Sequence, residues 1–201
     1  MTAEQRDCPE AAMSDSAIGQ ASVGDAERPA VVIEIREYDP DWPVQFEAQA
    51  AAVRRALGAV ALAVEHAGST SVPGLAAKPA LDIVLAVADS AAEASYAPPL
   101  ETLGYELRIR EPEWFEHRMF KLTAPATNLH VFSAGCPEID RMLRFRDWLR
   151  ANAEDRMKYE AVKRRLAAQS WRYVQNYADA KNEVVAEIMA RAGRLGRVSS
   201  T

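Results

Sequence analysis

Glu65-His66-Ala67-Gly68-Ser69-Thr70-Ser71-Val72-Pro73-Gly74-Leu75-Ala76-Ala77-Lys78-Pro79-Ala80-Leu81-Asp82-Ile83 is the stretch on which the reading of this chain turns. A strand that starts near Val60 ends at His66, and the Gly68-Ser69-Thr70-Ser71 turn breaks it. Glycine lets the backbone approach a ligand closely, and successive N–H groups beside two hydroxyls can cradle a phosphate. The same four residues also read as an ordinary strand-to-loop turn. After a loop over 67–79, Leu81 to Val87 is a nearly continuous apolar run, the pattern of a central strand buried on both faces. Its one charge is Asp82. A carboxylate there is costly unless something pairs it; a metal ion is one candidate partner, and backbone donors or Lys78 are the other.

Upstream, Val31 to Tyr38 alternates Ile33 and Ile35 with charges and reads as a strand. Asp41 then caps a helix with Pro43 in its first turn, running to Leu57 with Phe46, Ala50, Val53 and Leu57 on one face and Gly58 as the stop. Residues 1–29 are rich in Ala, Ser, Gly, Asp and Glu and hold almost no bulky apolar side chains. They read as a disordered tail. Downstream, 89–103 is a helix weakened by Pro98 and Pro99. Three strands follow at 105–110, 117–123 and 129–132, as a meander. Beyond Pro137 the pattern is helical: 139–150, 154–171 and 178–192, ending at Gly193 with a frayed tail over 194–201.

The chain has 201 residues, enough for one domain, here taken as 30–193, with a substantial core. Its net charge of −5 argues against general nucleic-acid binding, because phosphate contacts need a basic surface. A local basic pocket for one nucleotide stays allowed. Two cysteines, Cys8 and Cys136, form no zinc-site pattern and suit a reducing compartment. No apolar run approaches a membrane span, and the N-terminus reads as neither secretory signal nor transit peptide, so cytoplasm is the expected location.

With these residues in view, the stretch from His66 to Ile83 resembles the signature of the GrpB family, His-Ile-Gly-Ser-Thr-Ser-Val-Pro-Gly-Leu-x-Ala-Lys-Pro-x-x-Asp-Ile, with Ala67 at the usual Ile. The resemblance extends to Tyr38-Asp39-Pro40-Asp41-Trp42, Leu129-His130-Val131, Phe145-Arg146-Asp147-Trp148-Leu149-Arg150, and the pairs Tyr159/Lys163 and Tyr177/Lys181. It spans about residues 31–192. It implies an α/β (α+β) fold similar to nucleotidyltransferases: a mixed β-sheet with flanking helices and a C-terminal helical segment. In that superfamily a Gly-Ser turn holds a nucleoside triphosphate, and an Asp-x-Asp or Asp-x-Glu pair holds two Mg²⁺ ions. Gly68 and Ser69 match the turn and Asp82 the first acid. Val84 occupies the second acid's position, with Glu65 or Asp147 as candidate substitutes, and His130 stands near a third.

The resemblance therefore implies nucleotide binding with Mg²⁺-dependent nucleotidyl transfer to an unknown acceptor. Asp82 would hold metal, with Lys78 and His130 the other catalytic candidates. His66, Gly68, Ser69, Thr70, Arg146, Tyr159, Lys163, Tyr177 and Lys181 would bind the nucleotide. Val84, in place of the second acid, favours an alternative, a catalytically silent binding or regulatory module; that GrpB-like domains also accompany dephospho-CoA kinases implies an accessory role near coenzyme A metabolism. A weaker alternative is a transition-metal hydrolase built on His66, His117 and His130. The bland readings are core histidines, a solvated Arg146/Arg150 face and Tyr–Lys surface packing. Protein partners and oligomeric state are not legible.

Overall fold

In the computed structural model of the chain, which describes residues 12–23 and 32–195, five strands form one mixed sheet in the order β1-β2-β5-β4-β3. These are β1 (Ala63–Ala67), β2 (Leu81–Val87), β3 (Glu106–Glu111), β4 (His117–Leu122) and β5 (Thr127–Ser133). β1 pairs antiparallel with β2, β2 parallel with β5, and β3-β4-β5 form the expected antiparallel meander. The apolar run of β2 is central and buried, as its sequence demands.

The two faces of the sheet have different fates because side chains alternate along a strand. Leu81, Ile83, Leu85 and Val87 of β2, with Phe120, Leu129 and Val131, pack beneath the helices α2 (Trp42–Leu57) and α3 (Ala97–Thr102). In α2, Trp42, Phe46, Ala50, Val53 and Leu57 are buried, one stripe at helical spacing. Gly58, with φ +54°, ends the helix. On the opposite face stand Asp82, Asn128 and His130, beneath a helical layer made of α4 (Pro137–Ala151), α5 (Ala153–Ala167), α6 (Val174–Asp179) and α7 (Asn182–Leu195).

Several expectations need correction. Within the expected strand 31–38, the described residues 32–38 form no strand: Arg36 makes a single bridge to Ala77, while Ile33 and Ile35 pack on Leu166 and Tyr177 of the helical layer. Its alternation serves a layer contact rather than a ladder. The 89–103 helix is reduced to a 3-10 turn at Glu93–Ser95 and the short α3, whose first turn takes Pro98 and Pro99 where their missing N–H groups cost nothing. A short helix, α6 (Val174–Asp179), precedes the last one, and α7 (Asn182–Leu195) starts later than 178 and runs past Gly193. The α2 helix starts after Asp41, but that side chain makes no cap; Asp39 Oδ1 instead accepts from the Asp41 N–H at 2.9 Å.

The tail reading is also corrected in part. Asp15–Ala21 forms a helix, α1, with Ile18 buried and Ser14 accepting from the Ala17 N–H. This segment crosses between two edges of the fold. Val23 N–H donates to Arg108 O of β3 at 2.7 Å, Met13 N–H to Asp179 Oδ2 at 2.9 Å, and Arg172 pairs with Asp15 at 2.7 Å. Residues 1–11, 24–31 and 196–201 lie outside the described residues, and with them the rest of the two tails.

Candidate functional site

The turn after β1 is shaped by one close approach. Gly68 has φ +65° and ψ −170°, a region that side chains shun, and a Cβ there would lie 2.2 Å from Asp82 Oδ2 and 2.9 Å from Asp82 Cβ. Only glycine can pass over this carboxylate. Ser69–Ser71 then forms a 3-10 turn, and the Ser71 hydroxyl donates back to Gly68 O at 2.6 Å. The turn and Asp82 are one unit.

Asp82 faces a cavity of about 870 Å³, a size that suits a nucleotide or similar ligand. Asn128 Nδ2 donates to its Oδ1 at 2.8 Å, and His130 Nε2 lies 3.9 Å from the same oxygen. Burial pushes the Asp82 pKa up, but the His130 imidazole, the Asn128 amide and Lys78 together outweigh it, and the net shift is downward. Asp82 is thus a carboxylate held ionised.

The cavity's phosphate-binding candidates converge. Ser69, Thr70, Lys78, Lys163, Tyr177 and Lys181 all line it beside Asp82 and His130. Lys163 is 2% exposed, donates to Ala76 O and lies 4.9 Å over the Tyr159 ring. Burial first, then Lys181, brings its pKa down to about 7. Lys181 lies 4.6 Å over the Tyr177 ring, and burial lowers its pKa also. The two Tyr–Lys pairs are therefore interior pairs, each ammonium lying over its ring four residues before it.

Other candidates are placed elsewhere. Arg146 fastens α4 to β1, its Nη1 donating to His66 O at 2.9 Å and Glu65 Oε2 at 3.1 Å while its Nε donates to Asp147. Arg150 likewise grips Ser71 O with Nε and Nη2, at 3.0 and 2.8 Å. Both arginines hold the turn from behind, and Glu65 and Asp147 are spent on them, not offered to Asp82. His66 stacks on Phe46 and meets Thr70 Oγ1 at 3.0 Å; burial brings its pKa down to about 4, so it stays a neutral buttress under the turn. Tyr159 is buried among Leu149, Val72 and Leu75 and bonds to Ser69, its pKa pushed up to about 12 by burial. Of three histidines, His117 and His130 meet and His66 does not. Val84 is 1% exposed and packs with Ala67, Phe132 and Cys136, so the second-acid position is apolar core.

The sequence reading missed Asn128 and Glu111 as neighbours of this site, and named His117 only in the three-histidine alternative. Asn128 and His130 share the parity of Asp82 across the parallel β2–β5 pair, with Asp82 opposite Asn128. The alternation was visible, but the strand order that makes it meaningful was not. Lys121 and Trp114 also line the cavity, and so do Met13, Ala17 and Ile18 of the N-terminal segment. Among the described residues, no group of three His, Cys, Asp or Glu could hold a metal ion, and no helix is long and apolar enough to cross a membrane.

Residues 32–191 match the family described as GrpB protein. The chain is 58% identical to the UPF0157 protein BH1888 of Halalkalibacterium halodurans over 179 residues, 89% of this chain and 92% of that protein. The crystal structure of conserved protein GrpB from Enterococcus faecalis superposes with a TM-score of 0.69 at 31% identity, over 79% of this chain and 96% of that one. A dephospho-CoA kinase of Mycolicibacterium paratuberculosis is 32% identical over 63% of this chain, which spans 37% of that protein. The signature read from His66 to Ile83, the mixed sheet that carries it and these likenesses agree: the chain belongs to the GrpB family.

Proposed function

We propose that the chain binds a nucleoside triphosphate, or a related phosphorylated ligand, in the cavity over β2, β5 and β4, with its phosphates at the Ser69–Thr70 turn, Lys163 and Lys181. One observation carries this reading. Two lysines of the helical layer, Lys163, which is buried, and Lys181, line the same cavity as Ser69, Thr70 and Lys78. Desolvated ammonium groups are costly, and an anion arriving beside them relieves that cost. Lys163, with its pKa near 7, is then only partly charged until the ligand binds.

The Mg²⁺ pair that the resemblance implies does not fit this donor set. Mg²⁺ takes hard oxygen ligands, and the groups beside Asp82 are an amide, an imidazole and the apolar Val84. The reading is therefore of ligand binding, without transfer routed through two Mg²⁺ ions. A second reading, an accessory module in coenzyme A chemistry, is favoured by the likeness to dephospho-CoA kinases. It uses the same cavity and the same lysines.

Isothermal titration with ATP, GTP, CTP, UTP and dephospho-CoA tests both. The expected result is micromolar binding of one nucleotide, with proton uptake near pH 7.5 as Lys163 becomes charged, and loss of binding in Lys181→Met. Binding of dephospho-CoA alone would select the second reading. Heat from none of the five ligands would overturn both.

A further inference from the structure

The cavity has two unlike ends, and the order of the sheet separates them. Asp82 on β2 interacts electrostatically with Lys78, Lys163 and Lys181, so the cationic end lies over β2. β3 stands three strands away, about 14 Å at the usual strand spacing. There Ile109 opposes Met119 of β4, and both line the cavity together with Trp114. The charged side chains beside them are paired: Arg108 with Glu106, Arg110 with Glu93, and Glu111 with His117. A compact anion held by the lysines around Asp82 does not reach this end.

The N-terminal segment 13–23 walls this end. Ser22 bridges Ile109, and Val23 N–H donates to Arg108 O, both on the outer edge of β3. At its other end Met13 N–H donates to Asp179 of α6, and Asp15 pairs with Arg172. The segment thus joins the sheet edge to the helical layer. Met13, Ala17, Ile18 and Ala21, at helical spacing, are buried or half-buried and line the cavity, while Ser14, Asp15, Ser16 and Gly19 are exposed. Of the four inward residues only Ile18 is buried; the others keep part of their surface open, as residues that wall a cavity do. The family match covers residues 32–191, so this wall is supplied from outside it.

We propose that the segment 13–23, with Ile109, Met119 and Trp114, forms the subsite for the heterocyclic base of a nucleotide whose phosphates lie at the lysines over β2. The inference rests on the phosphate reading above and adds where the uncharged part of the ligand goes. Ile18, Ile109 and Met119 offer apolar surface and Trp114 an aromatic one, on which any base has a face to stack. Gln20 and Ser22 of the same segment add polar groups to the lining. That mixture fits the flat face and hydrogen-bonding edge of a base better than an acyl chain, which has no edge to satisfy.

Calorimetry on the full-length protein compares inorganic tripolyphosphate with ATP, GTP, CTP, UTP and dephospho-CoA. The preferred ligand of the five is expected to bind more tightly than tripolyphosphate. Ile18→Asn, which adds no charge beside the phosphates, should weaken that ligand by roughly 10–100-fold, the share that one large apolar contact carries, and leave tripolyphosphate unchanged. A second readout needs no variant. With labelled isoleucine methyl groups in the unsubstituted protein, the Ile18 and Ile109 methyls should move with the preferred ligand, stay fixed with tripolyphosphate, and show Overhauser contacts to the base protons. Three results would overturn the subsite and leave the phosphate reading standing: tripolyphosphate binding as tightly as the best of the five, a folded Ile18→Asn variant that spares the preferred ligand or weakens both alike, or base protons with no contact to Ile18 or Ile109. No binding of any ligand, tripolyphosphate included, would overturn the phosphate reading and the subsite with it.

Discussion

Replacing Gly68 by alanine attacks the unit on which the site is built. The new Cβ would sit 2.2 Å from Asp82 Oδ2 and 2.9 Å from both Asp82 Cγ and Cβ. The carboxylate could swing, but the Asp82 Cβ belongs to the central strand, paired on both sides, and cannot retreat. To this clash is added backbone strain, because alanine tolerates φ +65° with ψ −170° poorly. Strain of that kind is worth about 1–3 kcal/mol and overpacking in a tight core about 1–3 kcal/mol more. A loss of roughly 3–5 kcal/mol is therefore expected in urea unfolding. Gly74→Ala is the control: its φ is +75°, but a Cβ there meets nothing within 4 Å, so only the backbone cost of about 1–2 kcal/mol applies. Adding Asp82→Ala to Gly68→Ala should recover part of the loss, since it removes the 2.2 Å contact but keeps the Cβ contact. Equal losses for Gly68→Ala and Gly74→Ala would refute the reasoning, because they would mean that the close approach to Asp82 costs nothing.

Three further outcomes follow from the same geometry. Burial holds Lys163 near pKa 7 against 10.5 for a free lysine, so the unfolded chain binds more protons between these values, and stability should rise with pH across that window; in Lys163→Met, unfolded by urea at pH 7 and pH 9.5, that contribution should vanish. Arg146→Ala, which removes the two hydrogen bonds from Nη1 to Glu65 and His66 of β1, should cost about 2 kcal/mol in urea unfolding and should do so equally with and without ligand. Ile18→Asp places a charge where Ile18 is 8% exposed; it should release the N-terminal segment from β3, seen as faster hydrogen exchange at the Val23 amide, while β2 amides stay protected.

How far the sequence could be read depended on whether local pattern or strand order held the information. The β2 run, the α2 stripe with its Gly58 stop, and the meander were all legible, because period and turn chemistry are local. The segment around Ile33 and Ile35 was misread because alternation reports a buried edge without saying what buries it. At the site, Gly68, Ser69, Thr70, Asp82, Lys163 and Lys181 were singled out through the family resemblance, and Ser69, Thr70, Asp82 and both lysines line one cavity. Arg146 and His66 carry the same signature but serve as struts, which spacing alone cannot distinguish from ligands. Glu111 and Asn128 were invisible, and which histidines meet could not be read, until β5 lay between β2 and β4. Ile18, in a segment of polar and small residues, showed no periodicity long enough to announce a helix that finds its partner on β3.

The most direct test of a phosphate site at the turn is to watch the backbone amides that would hold it. The ¹⁵N–¹H spectrum of the protein is recorded as the nucleotide selected by calorimetry, or failing one, inorganic pyrophosphate, is added. The account predicts that the amides of Ser69, Thr70 and Ser71 move most, together with the Lys163 side-chain resonances, while those of α2 on the far face of the sheet stay fixed. Shifts confined to residues outside the cavity, or none at saturating ligand, would contradict it.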